Sequence, residues 1–162
     1  GRTDEAIATY RVLLAAHPDH ADAHNNLGQA LEAAGDHAAA LHHYRQATAL
    51  RPDHATAHFN AGLTALRLGD FATGWQGYEW RWQAMGPRKL VRDYPAATRW
   101  HGDAPIAGRT LFLYAEQGLG DALQMLRYVP RLAARGARVV VELPPALAPV
   151  AATLAGSPVI VP

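Results

Sequence analysis

Two stretches decide the reading of this chain: PDHADAHNNLGQALEAAGD at residues 18–36 and PDHATAHFNAGLTALRLGD at residues 52–70. The second restates the first, and the period extends beyond both. Tyr10, Tyr44 and Tyr78 keep it, as do Pro18 and Pro52, Gly28 and Gly62, Gly35 and Gly69, and Asp36 and Asp70. His20 and His54, His24 and His58, and Asn26 and Asn60 also stay in step. A fixed period of about 34 residues means stacked supersecondary units, none of which can bury its apolar face alone.

Within a unit the pattern predicts two helices. Residues 21–34 place Leu27 and Leu31 four apart, and Gly28 lets a partner helix approach closely. Gly35 ends that helix and Asp36 is placed to cap the next. Ala40, Tyr44, Ala47 and Leu50 then alternate small and large apolar residues as helix packing requires. Residues 4–16 predict a helix with Ile7, Tyr10 and Leu14 on one face. Residues 55–68 and 72–84 predict the two helices of the next unit. Gly1 aligns with Gly35 and Gly69, so the chain is expected to start at mid-unit.

The unit resembles the tetratricopeptide repeat (TPR). Leu27-Gly28, Ala40, Tyr44 and Pro52 fall on its signature positions, as do Gly62 and Tyr78; the first large signature position is filled by His24 and His58. The resemblance covers about residues 1–85 as two and a half units and implies a protein- or peptide-binding groove lined by the first helix of each unit. Asn25, Asn26 and Gln29 in one unit, with Asn60, Leu63 and Arg67 in the next, are the candidates; neutral amides can hydrogen-bond an extended peptide backbone. The basic clamp by which chaperone-binding repeats hold a carboxylate is absent, with Thr56 and Asn60 at its cationic positions. A spacer or dimer surface is the competing reading. The predicted last helix carries Trp75, Tyr78 and Trp82 at i, i+3 and i+7, with Trp80 nearby. They are expected to pack as core on the next segment, or else to form an aromatic sugar or peptide platform.

Residues 86–108 carry the breakers Gly86-Pro87, Pro95 and Gly102 and the cations Arg88, Lys89 and Arg92. They are expected to be a solvated linker. Residues 109–162 change character. Residues 110–115 (TLFLYA) predict a strand buried on both faces, 137–143 (ARVVVEL) a second, and Val159-Ile160-Val161 a third. Helices are expected at 122–135, kinked at Pro130, and at 146–154. Strand, helix, strand, helix, strand implies a parallel sheet with right-handed crossovers. The fold class is thus mainly α: helical repeats followed by half of a Rossmann-like α/β domain.

The turn Glu116-Gln117-Gly118-Leu119-Gly120-Asp121 lies beyond the carboxyl end of the first strand, where open α/β sheets bind ligands. As a dinucleotide fingerprint it offers Gly118 and Gly120, with Glu142 at the end of the second strand as the ribose-binding acid. However, the third glycine position is Leu123, and Asp121 would set a carboxylate where a diphosphate should sit. Asp121 also suits a helix cap or dipole partner.

The run GLGDALQ, followed by a helix and then GARVVVE, resembles the start of the N-terminal half of GT-B glycosyltransferases of the heptosyltransferase type. The stretch from Trp100-His101-Gly102 to Asp121 also resembles bacterial proteins in which repeats precede such a domain. The resemblance covers about residues 98–162. It implies an acceptor-facing half, with Asp121 as general base on an acceptor hydroxyl and with Gln117, Gly118 and Gly120 beside the acceptor. Glu116 is an alternate base. The nucleotide-sugar donor is expected on a C-terminal half beyond Pro162, so no cofactor is expected in this chain and it is not expected to catalyse transfer alone.

Composition narrows the rest. The 162 residues are 49% apolar and 18% charged, which is globular. Net charge is +1. Residues 1–85 carry six arginines against nine acids, and residues 86–162 nine cations against five acids. That asymmetry supports a boundary near residue 86 but provides no basic stripe for nucleic acid. There is no cysteine, which excludes disulfides and thiolate chemistry. Ser157 is the only serine, and no P-loop is present. Residues 143–162 are uncharged but hold five prolines, which argues against a membrane span. No signal peptide is visible, and a cytoplasmic location is expected. His20/His24 and His54/His58 have i, i+4 spacing, but repetition accounts for it and no metal site is expected. A first strand open on one edge is expected to pair with a second copy of the chain.

Overall fold

The computed structural model describes residues 1–86, 99–116 and 118–161. Contacts divide the chain into two compact units, Gly1–Leu90 and Val91–Pro162. The cations Arg88, Lys89 and Arg92 of the expected linker lie outside the described residues, as does Gln117.

The first unit is helical: α1 (Arg2–Ala16), α2 (Ala21–Ala33), α3 (His37–Leu50), α4 (Ala55–Arg67), α5 (Phe71–Tyr78) and α6 (Arg81–Met85). Each helix end follows from local chemistry. Gly35 and Gly69 take φ of +87° and +86°, the left-handed step that closes α2 and α4 and turns the chain. Asp36 and Asp70 then accept from the amides of Ala39 and Thr73, capping α3 and α5. α2 and α4 are capped by histidines: Nδ1 of His20 accepts from Ala23 N and Nδ1 of His54 from Ala57 N.

Leu27, Leu31, Ala40 and Tyr44 form the buried core, with Ile7, Tyr10 and Leu14 of α1 packed against it. Gly28 sits under the Tyr44 ring, where a Cβ would come within 2.6 Å of the ring. Gly62 has the same role in the following unit, against the backbone of Gly77. Leu50, expected in this packing, is exposed.

The helix expected over 72–84 is two helices. Trp80 N donates to Gly77 O, three residues back, tightening the chain between α5 and α6. Side chains drive the break. Trp80 stacks on His58 at 4.1 Å and 8°. Arg81, only 8% exposed, lies over the rings of Tyr78 and Trp82 at 4.7 and 4.6 Å, donates to Tyr78 O and pairs with Glu79. A continuous helix would use Tyr78 O for its own ladder. Within α5 the aromatic stripe holds together: Tyr78 packs on Phe59 and meets Trp75 edge to face at 5.7 Å, although Trp75 is 54% exposed.

The second unit runs β1 (Thr110–Tyr114), α7 (Leu119–Met125), a 3-10 turn at Leu126–Tyr128, α8 (Val129–Ala134), β2 (Arg138–Glu142), a 3-10 turn at Pro145–Leu147, α9 (Ala148–Ala151) and β3 (Val159–Val161). The strands are parallel in the order β1-β2-β3, with Leu111 opposite Val139 and Val141 opposite Ile160. This is the expected half of a Rossmann-like sheet. The helix expected over 122–135 breaks at the 3-10 turn, because Pro130 has no N–H for the carbonyl four residues back, that of Leu126, and its ring crowds that group. Pro145 and Pro149 likewise shorten the helix expected over 146–154.

Burial of β1 on both faces is not found. Val139 and Val141 are buried against Leu126, Val129, Leu147 and Ala151, but Phe112 is 42% exposed and Val159 is exposed too. Topology explains this: two successive right-handed crossovers stepping in one direction place both helices on the same face. The irregular residues before β1 are not solvated throughout. Ile106 is buried in this core, and Gly108 N donates to Gly136 O.

Candidate functional site

Two places carry the candidate residues, one in each unit. In the first, the six groove candidates lie on α2 and α4. Asn60 Nδ2 donates to Asn25 Oδ1 at 3.1 Å, and Asn25 Nδ2 donates to Asn26 Oδ1 at 3.2 Å. Three of the six candidates are therefore joined in one amide chain across the two repeats. Asn25 is 5% exposed, so it is the structural link. Asn26 and Asn60 are half-buried, and Gln29, Leu63 and Arg67 are exposed.

Behind this face lies a polar hub that the period does not reveal. The half-buried Glu32 accepts from Tyr44 Oη at 3.0 Å through Oε2; the Thr64 hydroxyl lies 3.2 Å from the same oxygen and shares its one proton with Asn60 O at 2.9 Å, and Arg67 Nη1 stands 3.9 Å from Oε1. One carboxylate of α2 thus ties α3 and α4 together. Burial, then the Glu32 charge and hydrogen bond, push the Tyr44 phenol well above its ordinary range. The repeat equivalent of Glu32 is Leu66, and that of Thr64 is Ala30. The only sequence signal was a departure from the repeat.

The helix starts form a second polar set. Asp22 accepts from Arg51 Nη2, and its Oδ1 lies 3.2 Å from Nε2 of the capping His54. The Arg51 hydrogen bond, followed by the cationic neighbours, holds the Asp22 carboxyl below its usual range. Asp70 is held low by its hydrogen bonds from Thr73. The i, i+4 histidines do not converge: His20 and His54 cap, while Nε2 of His24 and of His58 lies 3.0 and 2.9 Å from the carbonyls of Pro18 and Pro52. Among the described residues no three His, Asp or Glu side chains are placed to hold a metal.

In the second unit, β1 delivers the chain to the turn at the carboxyl edge of the sheet. Gly118 is the N-cap of α7 with φ of −64°, and no side chain caps the helix. Asp121 is therefore not the cap it resembled. It lies in the first turn of α7, exposed, where a carboxylate complements the helix dipole. A Cβ at Gly118 or Gly120 would meet nothing within 4 Å, so both glycines leave open surface beside Asp121. Glu116 is half-buried. Glu142, the ribose-binding acid of the dinucleotide reading, ends β2 opposite Tyr114, and Leu123 at the third glycine position is exposed. Beneath the turn an apolar pocket is lined by Leu113, Ala115, Met125, Leu126 and Leu143.

Family models match the helical unit. The model described as tetratricopeptide repeat matches residues 1–41, and that described as TPR repeat matches residues 33–69. Residues 1–69 are tetratricopeptide repeats. The TPR signature glycines are the closely packed ones, Gly28 on Tyr44 and Gly62 on Gly77. Among solved structures, a mutant O-GlcNAc transferase of Thermobaculum terrenum is similar over 88% of this chain, with 20% identity and a TM-score of 0.47. The match spans 27% of that protein's length. No curated protein matches the sequence. No helix among the described residues is long and apolar enough to cross a membrane.

Proposed function

We propose that the TPR repeats bind an extended peptide segment of a protein partner along α2 and α4, and that the α/β unit is the acceptor-side half of a glycosyltransferase-like domain. The observation that carries the peptide reading is the amide chain Asn60–Asn25–Asn26. It fixes two repeats in register and leaves Gln29, Leu63 and Arg67 exposed around it. A side-chain amide pairs with a peptide group as donor and acceptor at once, Arg67 adds a cation and Leu63 an apolar contact. Peptides found by display on the whole chain should lose at least tenfold in affinity with Gln29→Ala combined with Arg67→Ala. Unchanged affinity would sink the groove assignment.

The enzymatic reading rests on the Gly120-Asp121 pair at the carboxyl edge of β1, with open space above both turn glycines. In this reading Asp121 takes the proton of an acceptor hydroxyl and a nucleotide-sugar is the donor. The full-length protein, assayed for nucleotide release from a panel of nucleotide-sugars, should turn over and should lose about 100-fold or more with Asp121→Asn. Turnover that ignores the substitution keeps the enzyme and removes Asp121 as its base. Peptide binding without any nucleotide release leaves the interaction module as the function.

A further inference from the structure

His24 and His43 face each other across the α2–α3 contact, with Nδ1 to Nδ1 at 3.0 Å. Their ring centroids are 5.3 Å apart with planes inclined by 29°. That separation matches the 3.0 Å contact plus the two ring radii, so the rings meet edge to edge in nearly one plane and are not stacked face to face. The line between the two nitrogens is therefore a hydrogen-bond axis. The gap is too short for a metal held linearly between them.

The network assigns the protons. Nε2 of His24 lies 3.0 Å from Pro18 O, and a carbonyl can only accept. Neutral His24 thus carries its proton on Nε2 and offers a lone pair at Nδ1. His43 must then donate from Nδ1. One added proton can be accommodated: protonated His24 donates from both nitrogens, and His43 switches to the other tautomer and accepts. A second added proton cannot. Two N–H groups would point at each other, and two like charges would share one partly buried site.

The geometry points to a proton-gated clasp within the first complete repeat: His24 and His43 hold α2 to α3 while they carry at most one extra proton between them, and release the contact when each is charged. The groups acting on His43 strengthen this behaviour. Burial lowers its pKa most, followed by His24 on α2, His42 beside it on α3 and Arg11 on α1, all cationic or able to become so. The next repeat lacks the clasp. His58 keeps the bond toward Pro52 O, but the repeat equivalent of His43 is Gly77, and His58 lies against the Trp80 face, where a positive ring is tolerated. Acid should thus act on one repeat and spare its neighbour. Because α2 also carries Asn25, Asn26 and Gln29, opening the clasp would disturb the proposed peptide face; that consequence rests on the peptide reading, whereas the clasp is tested by itself.

The sign is fixed by linkage. A histidine whose folded pKa lies below its unfolded value contributes stability in full above the unfolded pKa, near 6.5. That stability is lost as the unfolded chain takes up protons first on acidification. On the whole chain at about pH 7.5, long-range proton–nitrogen spectra should show His43 protonated at Nδ1 and His24 at Nε2. Finding both rings protonated at Nε2 overturns the clasp. Between about pH 7.5 and pH 5, urea unfolding of the native chain should weaken more than that of His43→Gln, whose amide can donate to neutral His24 and accept from protonated His24. The difference should be about tenfold in the unfolding equilibrium constant for each unit by which His43 lies below its ordinary value. Equal weakening in both chains overturns the proposal. The spectra need no substitution, so they decide the matter if the variant fails to fold.

Discussion

Replacing Gly62 by alanine sets two physical effects against each other. Gly62 lies inside α4, where alanine is the better helix former by about 1 kcal/mol. A stability estimate made from the sequence alone would therefore favour Gly62→Ala. The packing says otherwise. The new Cβ would stand 2.6 Å from Gly77 C, 2.7 Å from Tyr78 N and 2.8 Å from Gly77 Cα. All three are backbone atoms of α5 and cannot rotate away, so α5 itself must move. Overpacking of a core costs about 1–3 kcal/mol where neighbours adapt by rotamer changes, and the upper end applies to a clash with backbone. The net is a loss of about 2 kcal/mol, close to 30-fold in the unfolding equilibrium constant. Urea unfolding followed by circular dichroism reads it, with Gly35→Asn as the comparison. Gly35 has φ of +87° and open space around it, and asparagine tolerates that conformation. Gly35→Asn should stay within about 1 kcal/mol of the native chain. If Gly62→Ala matched or exceeded native stability, the claim that close backbone approach fixes glycine here would be wrong.

Tyr44→Phe keeps the ring over Gly28 but leaves Oε2 of Glu32 with only the Thr64 hydroxyl, whose one proton Asn60 O also claims; a hydrogen bond to a charged, half-buried group is worth about 1.5–3 kcal/mol, and urea unfolding should show a loss in that range. Asp22 contributes stability above its unfolded pKa that is lost as pH falls through its lower folded value, so Asp22→Asn should flatten the acid limb of the stability curve below about pH 4; a limb as steep as that of the native chain would remove the Asp22–Arg51 and Asp22–His54 contacts from the account. Gly120→Ala adds a methyl to open space inside α7 and should leave the melting temperature unchanged or slightly raised, while any fall in nucleotide release by the full-length protein would report on acceptor space. Among the described residues β1 is paired only with β2; pairing of β1 with a second copy would show as a dimer in light scattering at high concentration, and a monomer would remove that expectation.

The helical unit was legible because its information is periodic. Gly35 and Gly69 mark turns, Asp36 and Asp70 mark caps, and Tyr44 over Gly28 marks the close approach; each rests on a local rule that repetition states twice. The break between α5 and α6 was not legible, since it depends on where Trp80 and Arg81 find partners, and His58, on which Trp80 stacks, belongs to the preceding helix α4. In the second unit, strand direction followed from the alternation of elements, but the exposure of Phe112 on β1 did not. An apolar run such as TLFLY looks the same whether one face or both are covered, and the covering is decided by which way later strands wind. At the turn, the glycine pattern placed the helix start too late: Gly118 is the N-cap, and Leu119, Gly120 and Asp121, expected in the turn, form the first turn of α7.

Repetition also hides what is particular to one unit. Residues that recur build the scaffold, and trust in the period assigns the same role to each copy. His24 and His58 share a bond toward a proline carbonyl, yet one continues into an imidazole pair and the other meets an indole face, because the partner positions, His43 and Gly77, have diverged. Glu32 and Thr64 form a hub across repeats at positions where the sister residues are Leu66 and Ala30. Repeat arrays are stabilised by units and by their interfaces, so a polar contact made at only one interface changes that interface without altering the others. The specific chemistry of this array is accordingly sought where the period fails while packing remains intact, and both the Glu32 hub and the His24–His43 pair meet that condition.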